Sequence, residues 1–313
     1  AAGPVSVGRL SRQGQFPIEV SPSFPASSAI TGPLLPPSIP LVVYALVSDA
    51  SIGFLFLGGV MPGLLLGVAF MTMNTVIARR RNYPVEPAVP MREIPRIALD
   101  AFPALMLPVV LLFGIYGGVM TPTEGAAAAA AYALLASAVI YRSISLKQLY
   151  TILLSSAKST TSVGMLIAGA LVFNYVVTIE NVPLSVQHFI SGFHLAPSGY
   201  LLLVNAILLV LGCLLEGTTI LLVIVPIMIP TAKALGIDLV HFGVVVVVNI
   251  MIGLLTPPFG LLLFVVANMT KKPLMSIVRE AAPFMFVAIV VLVIITFVPQ
   301  TVRWLPRVMG YKG

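Results

Sequence analysis

One short motif occurs twice in this chain, each time inside a strongly apolar stretch. The first copy, GPLLPP, covers residues 32–37, and the second, GLLTPP, covers residues 253–258. At one constant offset the following positions coincide: Gly32 with Gly253, Leu34 with Leu255, Pro36 with Pro257, Pro37 with Pro258, Leu41 with Leu262, and Pro62 with Pro283. Proline removes a backbone donor and clashes with the preceding helical turn. The chain therefore contains two equivalent helix breaks.

Each break exposes backbone groups that hydrocarbon cannot satisfy, so it must be buried in protein or line a wet cavity. Two equivalent breaks indicate the binding site of a secondary transporter. Small and polar residues surround them: Ser27, Ser28, Thr31 and Gly32 at the first, and Asn249, Gly253 and Thr256 at the second. Hydroxyls and freed carbonyls are the hard oxygen ligands that suit Na⁺. A single Pro-Pro would favour a kink that only shapes packing; the duplication favours an ion site.

The composition places the chain in a lipid bilayer. Charged residues make up 9% and hydrophobic residues 59%, whereas soluble domains carry about 25% charged residues. The 313 residues have room for roughly eight or nine spans of about 20 residues each. A single cysteine, Cys213, excludes a disulfide framework and a multi-cysteine metal site. The net charge of +7 comes from basic residues gathered in short loops, and nothing indicates nucleic-acid binding.

We predict an all-α, polytopic membrane protein with inverted repeats, broken transmembrane helices and a re-entrant hairpin. The predicted segments are an irregular stretch 1–26, a first broken helix 27–51, scaffold and arm helices 52–198, the hairpin 199–235, a second broken helix 236–272, and a last span with tail 273–313. The hairpin and both broken helices would form one transport domain.

The basic residues set the orientation. Five arginines lie between residues 79 and 96, and the positive-inside rule places this cluster in the cytoplasm. The turn at Ala50–Ser51 then lies outside, whereas its counterpart in the second copy, Lys271–Lys272, lies inside. The two copies are therefore expected to be inverted. The tail, which also carries basic residues, must then lie outside, but it holds fewer positive charges than the arginine cluster.

A polar tip, Glu216–Thr219, separates two apolar arms within residues 200–234. Each arm is short for a full span, so we predict a re-entrant hairpin. Gly217 is expected to end the first arm and Thr218 to cap the second. Glu216 is a candidate site residue, because a carboxylate within the membrane usually has a function. The alternative is that Glu216 lies at the aqueous mouth.

Other motifs favour structure over chemistry. Thr121–Glu124 (TPTE) predicts a capping box with proline at the first helical position. The three histidines, His188, His194 and His241, share no metal-ligand spacing, and neither G-x-S-x-G nor H-E-x-x-H occurs. We therefore expect a protein that is not an enzyme and that needs no organic cofactor and no transition metal.

Four stretches resemble the large membrane subunit of tripartite ATP-independent periplasmic (TRAP) transporters. They are residues 28–38 (SAITGPLLPPS), 117–131 (GGVMTPTEGAAAAAA), 211–230 (LGCLLEGTTILLVIVPIMIP) and 238–267 (DLVHFGVVVVVNIMIGLLTPPFGLLLFVVA). They follow the family order and extend over most of the chain. The resemblance implies a Na⁺-driven elevator permease of the bacterial inner membrane that imports small organic acids such as dicarboxylates. It also implies two partners, a periplasmic substrate-binding protein and a small four-helix membrane subunit.

The resemblance also implies where ions and substrate bind. Family members have two Na⁺ sites, each formed where a re-entrant hairpin meets a broken helix. Carried over by motif, the first Na⁺ site would use Ser28, Gly32 and Pro33. The second would join Gly217 and Thr218 of the hairpin to Gly253 and Thr256. Substrate contacts are expected at Ser27, Glu216, Thr219 and Asn249.

Two departures from the family pattern leave alternatives open. Family members have a longer N-terminal region with a first hairpin, and Glu216 stands where an aspartate is common. One alternative is therefore a truncated or vestigial membrane protein without transport activity. Another is an ion exchanger of related fold that works without a binding protein. Uptake that depends on both Na⁺ and a binding protein distinguishes the symporter from these two.

Overall fold

The computed structural model describes residues 30–81, 90–192, 195–258, 260–270 and 273–312. The helices of this part are α1 (Ile39–Ser48), α2 (Ile52–Arg80), α3 (Ile94–Tyr116), α4 (Pro122–Ile140), α5 (Leu146–Ile179), α6 (Val182–Ser191), α7 (Pro197–Leu214), α8 (Gly217–Ala234), α9 (Leu239–Gly253), α10 (Leu261–Thr270), α11 (Leu274–Phe297) and α12 (Gln300–Val308). They fall into two compact units, one formed by Val85–Gly169 and one by the described residues before and after it.

Seven of the described helices are long and apolar enough to cross a membrane: α2, α3, α4, α5, α7, α8 and α11. Two shorter apolar helices, α1 and α9, border the two breaks. Many large apolar side chains are exposed on these helices, as expected for surfaces that face lipid. The prediction of an all-helical, polytopic membrane protein is confirmed.

In the Val85–Gly169 unit, α3 and α4 pack as an antiparallel pair. The Tyr132 hydroxyl donates to the Pro103 carbonyl at 2.8 Å, and the Tyr141 hydroxyl donates to the Asp100 carbonyl at 2.8 Å. The predicted capping box is present at the start of α4. The Glu124 carboxylate accepts a hydrogen bond from its N-cap backbone amide at 2.7 Å, so local sequence alone fixes where this helix begins.

The first break is the turn of residues 31–37, which precedes α1. Ser38 caps α1, because its hydroxyl oxygen accepts a hydrogen bond from the Leu41 amide at 3.2 Å. The same hydroxyl donates to the Pro33 carbonyl. Helix α2 packs directly on this turn: a Cβ on Gly59 would lie 2.6 Å from one of its carbonyl oxygens. The break is therefore covered by protein, as a membrane environment requires.

The second break repeats the element order of the first. Helix α9 ends at Gly253, a turn follows, and the ten-residue helix α10 leads into the span α11. In the first copy a turn leads likewise into the ten-residue helix α1 and the span α2. Each of these spans contains an interior proline, Pro62 or Pro283. The Pro36–Pro37 and Pro257–Pro258 peptide bonds are both cis. The sequence duplication thus corresponds to a structural one.

Tyr44 joins the two broken segments. Its side chain is fully buried, its hydroxyl donates to the Leu239 carbonyl at 2.8 Å, and its ring lies 6.5 Å from the ring of Phe242. Gly243 makes room for it, because a Cβ at that position would lie 2.2 Å from the tyrosine ring. Helix α1 also packs against α8. Helices α1, α8 and α9 therefore form one packed group.

Helices α2 and α11 lie side by side and run in opposite directions. Arg81, directly after α2, forms a 2.9 Å ion pair with Glu280 near the start of α11. At the opposite end of α2, the ring of Phe54 lies 4.8 Å from the ring of Tyr311, in the tail that follows α12. Since α2 and α11 are both long enough to span, the arginine end of α2 and the start of α11 share one membrane face. The α1–α2 turn and the tail share the other.

The predicted hairpin corresponds to α7 and α8. Each helix has 18 residues and rises about 27 Å at about 1.5 Å per residue, close to the roughly 30 Å of a hydrocarbon core. Both arms are therefore at the short end of the range for a span; α7 already begins at Pro197, and α8 begins directly after Glu216. The re-entrant arrangement of the two arms stays a prediction.

Substituting Gly243→Ala tests the contact between the broken segments. We expect it to lower the free energy of unfolding by about 1–3 kcal/mol, because the new Cβ would overlap the buried Tyr44 ring. Thermal unfolding of the detergent-purified protein measures the change. Gly67→Ala in α2 is the matched control, since a Cβ there meets nothing within 4 Å. Equal unfolding temperatures for the two variants would contradict the proposed packing.

Candidate functional site

The tip between α7 and α8 is organised by Glu216, which is exposed. Its carboxylate accepts hydrogen bonds from the Thr219 amide at 3.1 Å and from the Thr218 hydroxyl at 2.8 Å. Glu216 is thus the N-cap of α8. The expectation that Gly217 ends α7 and that Thr218 caps α8 is wrong: α7 ends at Leu214, and Gly217 is the first residue of α8. The glutamate side chain is long enough to reach back to the free amides of the first turn.

This tip lies directly against the second break. Gly212 of α7 and Gly253 at the end of α9 meet backbone to backbone, since a Cβ on Gly253 would lie 2.7 Å from the Gly212 Cα. A Cβ on Gly217 would likewise lie 2.8 Å from the side chain of Ile250. Glycines therefore allow two interrupted helices to touch where each has free backbone groups. The structure brings Gly217 and Gly253 of the predicted second Na⁺ site to one place.

Thr256 stands next to the double proline of the second break and is half-buried. Its hydroxyl donates to the Ile252 carbonyl at 2.8 Å, and its amide donates to the Gly253 carbonyl at 2.9 Å. A hydroxyl that donates its proton in this way keeps two lone pairs for a cation or another donor. At the tip, Thr218 and Thr219 are also half-buried. Hydroxyl oxygens thus occur both at the second break and at the hairpin tip that packs on α9.

Asn249 lies one helical turn before the break and is fully buried. Its side-chain nitrogen donates to the Asn205 carbonyl at 2.9 Å and to the Asn205 Oδ1 at 2.8 Å. Asn205 in turn donates to the Thr296 hydroxyl at 2.9 Å, which donates to the Leu292 carbonyl at 2.6 Å. These hydrogen bonds connect α9, α7 and α11 through the apolar interior.

One polar atom of this network lacks a hydrogen-bond partner in the described part of the chain. The Asn249 Oδ1 is buried and has no hydrogen-bond partner among the residues that the structure describes. Leaving such an acceptor unsatisfied costs about 1–3 kcal/mol, and buried polar groups of native proteins normally have a hydrogen-bond partner. Asn249 is therefore a position where a ligand donor would gain a hydrogen bond.

The residues predicted for the first break are only partly described. Ser27 and Ser28 lie outside the described residues. Gly32 is exposed, and the Pro33 carbonyl accepts a hydrogen bond from the Ser38 hydroxyl. The half-helix α1 that follows packs against the first residues of α8, so the first break is connected to the hairpin.

Several contributors were missed by the sequence analysis. Ser38 follows a double proline and precedes an apolar run, which is an N-cap signal. Asn205 and Thr296 are isolated polar residues in apolar spans, and such residues usually find polar partners on a neighbouring helix. Both signals were available in the sequence. Gly212 carries no such signal, because its role depends on which helix packs against it.

Paired helix breaks, one of them in contact with the tip of a helical hairpin, are the features of a secondary transporter. Comparison with known proteins agrees. Residues 1–301 match the family described as "Tripartite ATP-independent periplasmic transporter, DctM component". The match covers nearly the whole chain, including every residue of the candidate site.

Individual relatives support the same assignment. The chain is 39% identical over 310 residues to the C4-dicarboxylate TRAP transporter large permease protein DctM of Pseudomonas aeruginosa, covering 99% of this chain and 72% of that protein. It is 38% identical over 301 residues to the sialic acid TRAP transporter large permease protein SiaM of Vibrio cholerae, covering 96% and 70%. It is 36% identical over 275 residues to the isethionate TRAP transporter permease protein DctMQ of Oleidesulfovibrio alaskensis, covering 88% and 43%.

The chain therefore belongs to the family of TRAP transporter large permease subunits. It is a multi-pass protein of the bacterial inner membrane and a permease rather than an enzyme, and secondary transport of organic acids is the activity of its family. The resemblance predicted from the motifs is confirmed. As the family name states, such a subunit works within a tripartite system.

The buried amide network predicts a non-additive response to mutation. Asn205→Leu should lower the free energy of unfolding by about 1–3 kcal/mol, because it removes the Oδ1 acceptor of the Asn249 amide and the donor to the Thr296 hydroxyl in an apolar interior, and leaves the Asn249 amide only the Asn205 backbone carbonyl. The double variant Asn205→Leu/Asn249→Leu removes both partners and should cost less than the sum of the single changes. Thermal unfolding of the parent protein, both single variants and the double variant measures the coupling. Strictly additive losses would show that the two amides do not interact.

Proposed function

We propose that this chain is the permease subunit of a Na⁺-coupled, binding-protein-dependent transporter that imports small organic acids by an elevator movement. One observation carries the proposal: the hairpin tip sits on the second break, where Gly212 meets Gly253 and Gly217 meets Ile250. At this contact, helix ends and freed backbone groups lie together inside the apolar protein. An ion-coupled site in a membrane needs this combination.

The second Na⁺ site would join Gly217 and Thr218 to Gly253 and Thr256. Na⁺ prefers hard oxygen ligands, and the C-terminal end of α9 directs carbonyls along the helix axis. The Thr256 hydroxyl donates its proton to a backbone carbonyl and can therefore offer its lone pairs to a cation. Glu216 would add negative charge near this site while it holds the tip in shape.

The first Na⁺ site would lie at the first break and use Ser28, Gly32 and Pro33. The contact of α1 with α8 supports this placement, because it connects the first break to the hairpin that carries the other site. Tyr44 and Gly243 then hold the two broken segments together. We propose that the hairpin and both broken helices move as one transport domain. The antiparallel course of the equivalent spans α2 and α11 supports an inverted repeat.

The proposed substrate is a small organic anion. The relatives are named for C4-dicarboxylates, sialic acid and isethionate, all of which are organic acids. Ser27, Thr219 and Asn249 are the proposed substrate contacts, and the unpartnered Asn249 Oδ1 suits a hydroxyl or amide donor of the substrate. Glu216 would repel an anion unless Na⁺ lies nearby. We therefore propose that Na⁺ binds before the substrate.

The charge balance determines the driving force. A monoanion that travels with two Na⁺ carries one net positive charge, worth about 2.3 kcal/mol per 100 mV of membrane potential. This corresponds to an accumulation of roughly 40- to 50-fold. A dianion with two Na⁺ is electroneutral and depends on the Na⁺ concentration gradient alone.

A periplasmic binding protein would deliver the substrate, and a small four-helix subunit would brace the permease.

Thr256→Val tests the proposed ion site. The change keeps the side-chain shape and removes the hydroxyl, so Na⁺-dependent uptake should fall by at least about tenfold, the factor for about 1.4 kcal/mol of lost binding. The measurement is substrate uptake into proteoliposomes that contain the assembled membrane subunits, with the binding protein added. Thr75→Val is the matched control, because Thr75 makes the same 2.8 Å hydrogen bond to the carbonyl four residues earlier.

Two results of this assay would contradict the proposal. Full uptake by Thr256→Val would show that Thr256 is not part of the ion site. Uptake that is equally fast with K⁺ in place of Na⁺ would show that Na⁺ is not the coupling ion. Ion movement through the permease without the binding protein would favour the ion exchanger instead.

Gly212→Ala tests the contact between the tip and the break. The new Cβ would lie 3.0 Å from the Gly253 Cα, so it should displace α7 from α9 and raise the Na⁺ concentration needed for half-maximal uptake severalfold. Gly199→Ala on the same helix is the control, because a Cβ there makes only ordinary contacts at 3.6 and 3.8 Å. An unchanged Na⁺ dependence in Gly212→Ala would show that this contact does not shape the ion site.

A further inference from the structure

We propose that a cavity between the ends of α7, α9, α11 and α12 is a separate binding site for a small carboxylic acid that carries a hydroxyl or ammonium group beside its carboxylate. The cavity has a volume of about 330 Å³, within the range of small-molecule sites. Its polar lining comes from Ser198, Asp238, His241, Thr296 and Arg303. None of these residues belongs to the predicted Na⁺ or substrate site.

The cavity lies at the membrane face opposite Arg81. Helix α11 begins near Glu280, which pairs with Arg81, and it ends at Phe297, which lines the cavity. Because α11 is long enough to span, its two ends lie at different faces. With the arginine cluster in the cytoplasm, the cavity opens toward the periplasm. A solute can therefore reach it before it reaches the hairpin tip.

The cavity is lined by one unpaired donor and one unpaired acceptor. Asp238 caps α9 by accepting a hydrogen bond from the His241 amide at 2.8 Å through Oδ1, whereas its Oδ2 is buried and has no partner in the described part of the chain. The Nε of Arg303 is likewise buried without a partner there. Among the described residues, no ion pair joins Asp238 to Arg303.

The Tyr311 side chain does not supply the missing hydrogen bond to the Asp238 Oδ2. The Tyr311 hydroxyl lies close to Asp238. Burial is the main cause that raises the pKa of Tyr311 to about 12, and the charge of Asp238 and a hydrogen bond with its side chain add to this effect. Of the two Asp238 oxygens, Oδ2 still has no hydrogen-bond partner among the described residues. Each buried polar atom left in this state is costly, so a ligand that supplies both an acceptor and a donor would be stabilised.

The chemistry of the two side chains selects the ligand class. A guanidinium binds carboxylates through charge-assisted hydrogen bonds, and a carboxylate accepts a hydrogen bond from a hydroxyl or ammonium group. A 2-hydroxy or 2-amino acid carries both groups on adjacent carbons. A simple dicarboxylate could engage Arg303 but would leave the Asp238 oxygen unpaired and close to a like charge.

The cavity wall is also part of the buried amide network. Thr296 lines the cavity, and its hydroxyl accepts the hydrogen bond from Asn205, which in turn accepts from Asn249. A ligand in the outer cavity would therefore contact a side chain that is two hydrogen bonds away from Asn249, one helical turn before the second break.

L-malate and succinate are suitable probes, because they differ only in the 2-hydroxyl group. We expect purified protein to bind L-malate at least about tenfold more tightly than succinate, the gain for one charge-assisted hydrogen bond, in buffer that contains K⁺ and no Na⁺. Isothermal titration calorimetry measures both affinities. Omitting Na⁺ separates this site from the proposed transport site, so this test and the uptake assay can fail independently.

Substitutions at Arg303 and Asp238 identify the binding groups. Arg303→Gln should weaken both acids at least about tenfold. Arg307→Gln, on the same helix but exposed and outside the cavity lining, should change neither. Asp238→Asn keeps an N-cap of equal quality but replaces the free acceptor by a donor, so it should abolish the preference for L-malate. If Arg303→Gln proves unstable, Arg303→Lys keeps the charge, loses Nε and should still weaken binding.

The opposite results would overturn the proposal. They are the absence of binding without Na⁺, binding that survives both Arg303 substitutions, and an unchanged malate preference in Asp238→Asn.

Discussion

A bilayer interior offers no water to a free amide or carbonyl, so every interruption of a membrane helix must be covered by protein or by a ligand. The architecture of this permease follows from that constraint. At the first break, α2 packs on the turn at Gly59, and Ser38 bonds to a freed carbonyl. At the second break, the hairpin packs on the end of α9 at Gly212. In the proposed ion site, a cation would satisfy the backbone groups that the second break leaves free.

Close packing by glycine and directional bonding by amides act together. The Gly212–Gly253 contact and the Tyr44 side chain against Gly243 bring backbones close, but apolar packing alone leaves the axial register of membrane helices weakly defined. The hydrogen bonds from Asn249 to Asn205 and onward to Thr296 fix the positions of α9, α7 and α11 relative to one another. A fully satisfied polar network specifies one arrangement. Within the described residues, the Asn249 Oδ1 is the one atom of this network without a partner, so an additional donor would gain a hydrogen bond there.

The sequence predicts what is local or repeated. The TPTE motif predicts its capping box because all partners lie within four residues, and the duplicated Gly and Pro pattern predicts both breaks because proline acts on its own helix. Prediction from the sequence fails where a contact depends on a segment far away along the chain. The residues near Gly212 do not indicate that Gly253 packs against it. The mistaken cap at Thr218 has a different cause: glutamate is an uncommon N-cap, so the local sequence favours the neighbouring threonine.

Two carboxylates then have opposite consequences for an incoming anion. At the outer face, Asp238 lies in a cavity that Arg303 also lines, so an acid with a neighbouring donor group is attracted by both side chains. At the hairpin tip, Glu216 caps α8, whose N-terminal amides would otherwise attract an anion. Its charge offsets that attraction until a cation occupies the neighbouring site. The cap that shapes the tip would therefore also make anion binding depend on Na⁺, and coupling would follow from electrostatics without any separate gate.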